Sequence, residues 1–547
     1  MNMKNIKYYI LAGTAALALS SCNDFLSTSP KDAMTPNSTW KTGDDVSKFL
    51  TGCYDGFVSS YEATYFDVTS DFGYGNFPWE GFRNIGNGTF TPSNPGYSWY
   101  DFTIIRRCNT LLENAEKATF SSEAVKKDML AQCRFIRAYR YFVLTMCYGD
   151  VPIISNFETA QDAQVPRNSK DEVHKYIMDE LNAIIPDLND APAERGRVAK
   201  GAAYALKMRL ALYDGDYKTA KDAAQAIINL GQYSLDADYS NLFTVAGQTS
   251  PEIILAAQGL TNTYSLDMSY YFPNSVGGWS STVPTQQCVD NYEMANGKTI
   301  DEDGSGYDPT HPFHGRDPRF AMTVIYPGCD WNGKVFNSLD KTLADGKNNP
   351  DYSTNADNAT QTTYNWRKYA ETTSMYPGGY TNANISAIIF RYAEVLLTWA
   401  ECENELNGPS DQVYDMIDQV RQRVGMPKVD RTKYSTKETL RELIHRERGS
   451  EFAGEGIRRW DILRWTTSDG KMLANKVLNT TLTRITGTLL NSATKDSSDP
   501  TMRATITVGK TEKIEDRVFH DYNKLFPIPQ SNIDNNPKLT QNDGYTK

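Results

Sequence analysis

The chain is 547 residues long, carries a formal charge of −11 at neutral pH and is 12% aromatic. That length can bury a large core or hold more than one domain, while the acidic balance argues against nucleic acid or an anionic membrane surface as the partner. One short apolar run stands near the N-terminus and no second long one follows, which excludes a helical transmembrane protein.

Lys4 and Lys7 precede an apolar run from Tyr8 to Leu19, followed by Ser20, Ser21 and Cys22. A basic segment, a short apolar segment and small residues read as a secretory signal over residues 1–21, because the run is too short to span a bilayer. The ending Leu19-Ser20-Ser21-Cys22 resembles a bacterial lipobox, which implies lipidation of Cys22 and firm anchoring by its acyl chains. Residues 22–40 are polar and Ser/Thr-rich, the composition of a tether.

The spacing predicts a helix over 43–58, with Val46, Phe49, Leu50, Cys53, Tyr54 and Phe57 on one face. From Ser59 to Tyr100 the periodicity dissolves into a Gly- and Asn-rich stretch carrying Tyr65, Phe66, Phe72, Tyr74, Phe77, Trp79, Phe82 and Trp99. Rings in that number without a period make either a loop packed by its own aromatics or a binding surface. Helices resume at Tyr100–Ala118 and Ser122–Tyr148, and a helix pair runs from Val198 to Leu230, turning at Gly215-Asp216-Tyr217. Ala220 and Ala224 on its second member let the pair approach closely, as in a tetratricopeptide hairpin.

Loops rich in Tyr, Trp, Gly, Asn and Pro return from Thr261 to Asn384, with Tyr264, Tyr270, Tyr271, Phe272, Trp279, Trp331, Tyr364 and Trp366 among them. Three helices are predicted next. The first carries Ile388, Ile389, Tyr392, Val395, Leu396, Trp399 and Ala400 and stops at Asn407-Gly408-Pro409. The second, Asp411 to Val424, should lie antiparallel to it, and the third begins at Ser435, with Glu438 completing a capping box. It leads into Arg446, Glu447, Arg448, Glu451, Phe452, Glu455, Arg458, Arg459, Trp460, Asp461, Arg464 and Trp465. Alternating charges most often mark a solvated helix face. The interleaved Trp and Phe point instead to ions buried and paired against aromatic faces, so this run is assigned to structure. Residues 466–515 are Thr-rich, with a strand expected over Ala504–Val508.

Beyond Cys22 the cysteines are odd in number and lack C-x-x-C spacing; several fall on predicted helix faces. Mostly free buried thiols and no metal cluster are therefore expected. His311 and His314 share a Pro-rich loop at a spacing that offers zinc too few ligands.

Glu447-Arg448, Glu451-Phe452 and the run Glu455-Gly456-Ile457-Arg458-Arg459-Trp460-Asp461 resemble the C-terminal signature of the SusD/RagB family, the lipid-anchored nutrient-binding proteins of the Bacteroidetes outer membrane. Arg134 to Phe142 with Tyr148-Gly149-Asp150-Val151-Pro152, Arg316-Asp317-Pro318-Arg319-Phe320, and the closing Leu525-Phe526-Pro527-Ile528-Pro529-Gln530 are similar to family segments too, in order along the chain. The resemblance implies an all-α, tetratricopeptide-like scaffold with long aromatic loop insertions and a few short strands, organised as an N-terminal region 41–260 and a C-terminal region 261–547. It further implies a lipid-anchored protein on the outer face of the outer membrane. Such a protein captures oligosaccharides and passes them to a SusC-type TonB-dependent porin; RagB-type relatives do the same for peptides.

Sugars are held by stacking their apolar C–H faces on rings while polar side chains take the hydroxyls. Loop composition selects Trp79, Trp279, Trp331 and Tyr271 for stacking, and Arg83, Asp71 and Asn274 for hydroxyl contacts. Glu394 and Glu401 read as buried partners for Arg rather than as a catalytic pair, and there is no G-x-S-x-G, H-E-x-x-H or phosphate loop, so no enzymatic activity is expected. No cofactor is called for; a structural Ca²⁺ in one of the polar loops is left open.

Overall fold

The computed structural model describes residues 40–58, 64–489 and 498–545. The signal segment and Cys22 lie outside the described residues. Helices dominate: α1 (Gly43–Tyr54), α2 (Thr103–Asn114), α3 (Glu123–Tyr148), α4 (Lys170–Ile184), α5 (Lys200–Tyr213), α6 (Tyr217–Leu230), α7 (Tyr392–Asn407), α8 (Asp411–Arg423), α9 (Lys437–Phe452) and α10 (Arg458–Arg464). The principal strands are β1 (Gly73–Gly75), β2 (Ile253–Ala257), β3 (Thr282–Pro284), β4 (Ala387–Arg391), β5 (Thr481–Leu489) and β6 (Ala504–Asp516), which pair antiparallel as β1·β3, β2·β4 and β5·β6. Shorter helical turns and two-residue strands fill the loops. None of the described helices is long and apolar enough to cross a membrane.

The tetratricopeptide-like hairpin forms as its spacing requires. Gly215 sits at φ +76°, a conformation that an L side chain resists. Asp216 then caps α6 by accepting the Thr219 N–H at 3.0 Å. Ala220 and Ala224 are fully buried against the neighbouring helices. The α7–α8 hairpin repeats the device with Ser410, whose hydroxyl accepts the Val413 N–H. The two hairpins stack: α6 packs along α7, with Lys221 bound to Glu403 at 2.7 Å and the Trp399 indole N–H donating to Gln225 at 3.0 Å.

Several boundaries differ from the sequence reading: α1 stops at Tyr54 rather than at residue 58, and α2 spans Thr103–Asn114 within the predicted Tyr100–Ala118. Ile388 and Ile389 belong to β4, not to a helix, because this β-branched pair completes a two-stranded sheet with β2, Leu255 opposite Phe390. The cap of α9 is Thr436 with Thr439, one residue later than Ser435 with Glu438. The strand expected over Ala504–Val508 continues to Asp516 as one arm of a long hairpin with β5. The helix α4, capped by Ser169 and Glu172, is an element beyond those predicted from spacing.

Two large hydrophobic cores stand out among the described residues, beside smaller clusters. One is helical and takes in Val46, Ile105, Ile136, Leu206, Val395 and Leu443. The other lies under the inserted loops and takes in Phe272, Tyr292, Phe320, Tyr364 and Trp366. The seam between them runs through β4, where Ile388 joins the loop core while Ile389 and Phe390 join the helical one, and through the end of α9, where Phe452 and Ala453 divide in the same way.

The Arg/Glu/Trp run sits on that seam as a buried ionic network. Glu451 accepts from Arg391 at 2.7 Å, from Arg319 at 3.0 Å and from Arg423. Arg319 also binds Asp317 and Glu447, each at 2.6 Å, and Arg391 binds Glu252 and Glu455, each at 2.7 Å. Aromatic faces complete the guanidinium shells, with Phe452 4.6 Å from Arg391 and Phe72 4.0 Å from Arg458. Burial alone would raise the Glu451 carboxyl, but the arginines outweigh it and hold the group well below the usual carboxylate range. Glu394 pairs with Arg209 at 2.6 Å and Glu401 accepts from Arg464 and from the Trp465 indole, the structural role expected of both.

Candidate functional site

The two aromatic loops are stapled together by β1 and β3. Gly73 pairs with Pro284, Tyr74 with Val283 and Gly75 with Thr282, and the Asn76 N–H continues the ladder to the Ser281 carbonyl at 2.9 Å. Residues just beyond one end of the ladder therefore emerge side by side: Phe77 to Glu80 from the first loop, Trp279 from the second. Each side is braced from behind. The Arg83 guanidinium donates to Glu515 at 2.8 and 3.0 Å and to the Asn76 carbonyl at 3.0 Å. The Trp279 N–H donates to the Ser269 carbonyl at 2.7 Å and the Ser281 N–H to the Tyr270 carbonyl at 2.8 Å, folding the second loop back on itself. A third strip joins through Asn76, whose amide donates to the Ala359 carbonyl at 3.0 Å, next to Asn358.

The result is an open cleft of about 310 Å³ lined by Phe77, Trp79, Glu80, Tyr270, Trp279 and Asn358. Trp79 is 76% exposed yet held in orientation, its ring stacked on Phe77 with centroids 4.8 Å apart and planes 18° from parallel. Trp279, 36% exposed, meets Tyr270 edge to face at 5.0 Å. Each exposed indole is thus backed by a second ring, which fixes its plane without covering its outer face. Glu80 accepts a hydrogen bond from Tyr65, and burial lifts its carboxyl above the ordinary value against the pull of Tyr65 and Ser281. A ring face, a carboxylate and an amide in one cleft can grip a molecule that is apolar on one face and hydroxylated at its edge.

Of the residues selected from loop composition, the structure brings Trp79 and Trp279 together at this cleft. It removes the others from the surface role. Tyr271 is buried with its hydroxyl on Thr64, and Trp331 is buried under Phe272 with its indole N–H committed to the Ala370 carbonyl at 2.9 Å. Asp71 is interior and paired with Arg458 at 2.8 and 2.9 Å. Arg83 is spent on Glu515 and Asn76, and the Asn274 amide on the Pro350 carbonyl at 2.9 Å. The common reason is that the loops are thick enough to form their own core, so most of their rings and charges satisfy one another. Tyr270, Phe77, Glu80 and Asn358 were not selected. The local signal for two of them was their place on either side of Pro78-Trp79, where a proline-started turn fixes the neighbours of an exposed ring.

A larger recess of about 570 Å³ lies between the end of α1 and residues Ala256–Leu266. Its Tyr54 ring is covered by the Arg197 guanidinium at 4.9 Å, so it does not offer the paired open indoles of the first cleft.

Comparison with known proteins agrees with the fold. Residues 251–545 match the sequence profile described as the SusD family, and residues 24–212 match one described as "Starch-binding associating with outer membrane". The chain belongs to the SusD family. A SusD-like protein of Formosa agariphila is 24% identical over 518 residues, covering 85% of this chain and 90% of its own. The starch-binding protein SusD of Bacteroides thetaiotaomicron is 26% identical, covering 84% and 80%. The crystal structure of a SusD-like carbohydrate binding protein from Bacteroides fragilis superposes with a TM-score of 0.79 at 27% identity, over 92% of this chain and 100% of that one. The all-α, tetratricopeptide-like scaffold and its loop insertions are accordingly those of the SusD family.

Proposed function

We propose that this SusD-family protein is a cell-surface lipoprotein, anchored through Cys22, that captures oligosaccharides and delivers them to a SusC-type TonB-dependent outer-membrane transporter. The observation that carries the glycan reading is the cleft in which Trp79 and Trp279 stand exposed with their backs held by Phe77 and Tyr270. Flat, pre-oriented ring faces suit the C–H face of a pyranose and need little ordering on binding. Glu80 and Asn358 stand at the edge where hydroxyls would fall. Support for a saccharide also comes from the names of relatives, a starch-binding protein and a carbohydrate binding protein. Binding without turnover is the better reading of the site. Among the described residues lining the cleft Glu80 is the one carboxylate, whereas glycoside hydrolysis by the usual route takes two that face each other.

The deciding experiment is a screen of purified protein against plant, host and microbial polysaccharides, with peptide mixtures in parallel. Retardation by at least one polysaccharide, lost in Trp79→Ala or Trp279→Ala, is expected. Peptide binding without polysaccharide binding would replace this reading with a RagB-like one. Palmitate labelling that disappears in Cys22→Ala, and co-purification with a TonB-dependent porin, are the expected results for anchoring and delivery.

A further inference from the structure

Cys53, Cys108 and Cys133 are far apart in sequence, and their spacing marks no set. The packing of α1, α2 and α3 nevertheless brings their three sulfur atoms within 4.8 Å of one another. All three are fully buried and none is in a disulfide. Among the described residues this is the group of three or more His, Cys, Asp or Glu side chains whose donor atoms converge in this way. All three belong to the helical core with Leu50, Ile105 and Ile136, and the Arg107 guanidinium lies at the Cys53 edge of the group. The Cys133 thiol lies 3.6 Å from the Cys108 carbonyl oxygen, which orients it toward its neighbour.

We propose that Cys53, Cys108 and Cys133 form a trigonal thiolate site for a soft monovalent metal ion, copper(I) in class. The argument is one of ligand type, number and size. A metal–thiolate bond of about 2.3 Å places three sulfurs about 4 Å apart around a trigonal ion, a separation these three already approach without movement of the helices. Sulfur alone disfavours calcium and magnesium, which take oxygen, and thiolates select copper(I) among softer ions. Structural zinc closes a tetrahedron with a fourth ligand, whereas this group holds three. Each thiol releases its proton to solvent as its sulfur–metal bond forms, and the ion enters already as copper(I), so no electron transfer is involved. The resulting negative charge has a cation beside it: Arg107, whose guanidinium is held by the Gly52 and Asp55 carbonyl oxygens, lies on the Cys53 side. Entry is available at the end of α1, because Cys53 is in the last turn of a helix that stops at Tyr54 and terminal turns open locally at little cost.

The test is anaerobic titration of the reduced, purified protein with copper(I) held in acetonitrile, followed by X-ray absorption. One tightly bound equivalent is expected, with a thiolate-to-copper band in the near ultraviolet and three sulfurs at about 2.3 Å. Cys133→Ser should weaken binding by roughly tenfold or more, while Cys402→Ser, which removes a thiol buried elsewhere, should leave it unchanged. Should Cys133→Ser fail to fold, the sulfur count in the unmodified protein still decides. Absence of a bound equivalent, a count of two sulfurs, or equal loss in Cys402→Ser would overturn the proposal.

Discussion

Arg391 donates to Glu451 across 2.7 Å in a place where neither side chain meets solvent. The pair ties the last residue of β4 to the last turns of α9, and it does so on the seam between the helical and the loop cores. Arg319 and Arg423 converge on the same carboxylate, so one anion holds the loop insertions against the scaffold. An ion pair in this setting gains little over apolar packing, yet removing one member strands the others in a dry interior.

Glu451→Ala should therefore lower stability by about 3–5 kcal/mol, read as a shift in the urea midpoint at unchanged slope. As a control, Lys175→Ala removes an exposed ion pair with Asp179 one turn along α4 and should cost less than about 1 kcal/mol. Equal losses in the two variants would mean that the Glu451 charges are solvated.

The network also sets the acid limit of the fold. Glu447, Glu451 and Glu455 are all held below the ordinary carboxylate value; burial opposes this, and the surrounding arginines, with Lys368 beside Glu455, prevail. The folded chain thus binds protons at these groups less readily than the unfolded chain. Their contribution is complete above the unfolded value near pH 4.3 and is lost as pH falls through the folded values. In an Asp67→Asn background, which removes an opposing titration, denaturant midpoints measured from pH 7 to pH 3 should hold down to about pH 4.5 and then drop, with a shallower drop when Glu451→Gln is added.

Asp67 works in the opposite sense. Burial pushes its carboxyl up to about 6, although the Gly454 N–H at 2.7 Å and the charge of Lys368 resist. The folded state holds this proton more tightly than the unfolded one, so the group costs stability above pH 6 and the cost fades as pH falls toward the unfolded value. Asp67→Asn keeps an acceptor for Gly454 and removes the charge. It should raise stability at pH 8 by on the order of 2 kcal/mol and by much less at pH 4.5.

At the cleft, Trp79→Ala and Trp279→Ala should each weaken saccharide binding by about 1–2 kcal/mol, a tenfold effect or so, with the melting temperature almost unchanged. Trp331→Ala should do the reverse: its ring is buried and its indole N–H occupied, so about 3–5 kcal/mol of stability goes while affinity in the folded fraction stays. Calorimetry and titration on the three variants separate the roles.

A backbone test is available where the first loop meets the segment just after β6. Gly88 lies at φ +81°, and a Cβ there would stand 1.9 Å from the Val518 carbonyl oxygen. Gly88→Ala should cost about 2–4 kcal/mol. Gly333→Ala, at φ +75° in open space, should cost only the left-handed strain of about 1 kcal/mol.

Much of this protein is written locally. Helix positions follow from the 3.6-residue stripe and from caps such as Ser122, Asp216 and Ser410, because a helix satisfies its own backbone within a few residues. That the ionic run is buried was legible from the rings interleaved with its Arg and Glu, but its partners Arg319, Arg391 and Arg423 stand elsewhere in the chain. What the amino acids in order did not decide is which side of a loop faces water. Trp79 and Trp331 stand in equally aromatic, equally irregular stretches, and only the pairing of Gly73–Gly75 with Thr282–Pro284 leaves the first exposed beside Trp279 while the second is roofed by Phe272. The meeting of Cys53, Cys108 and Cys133 is of the same kind. Exposure and convergence are relations between segments hundreds or tens of residues apart, so they exist only once the chain has closed on itself.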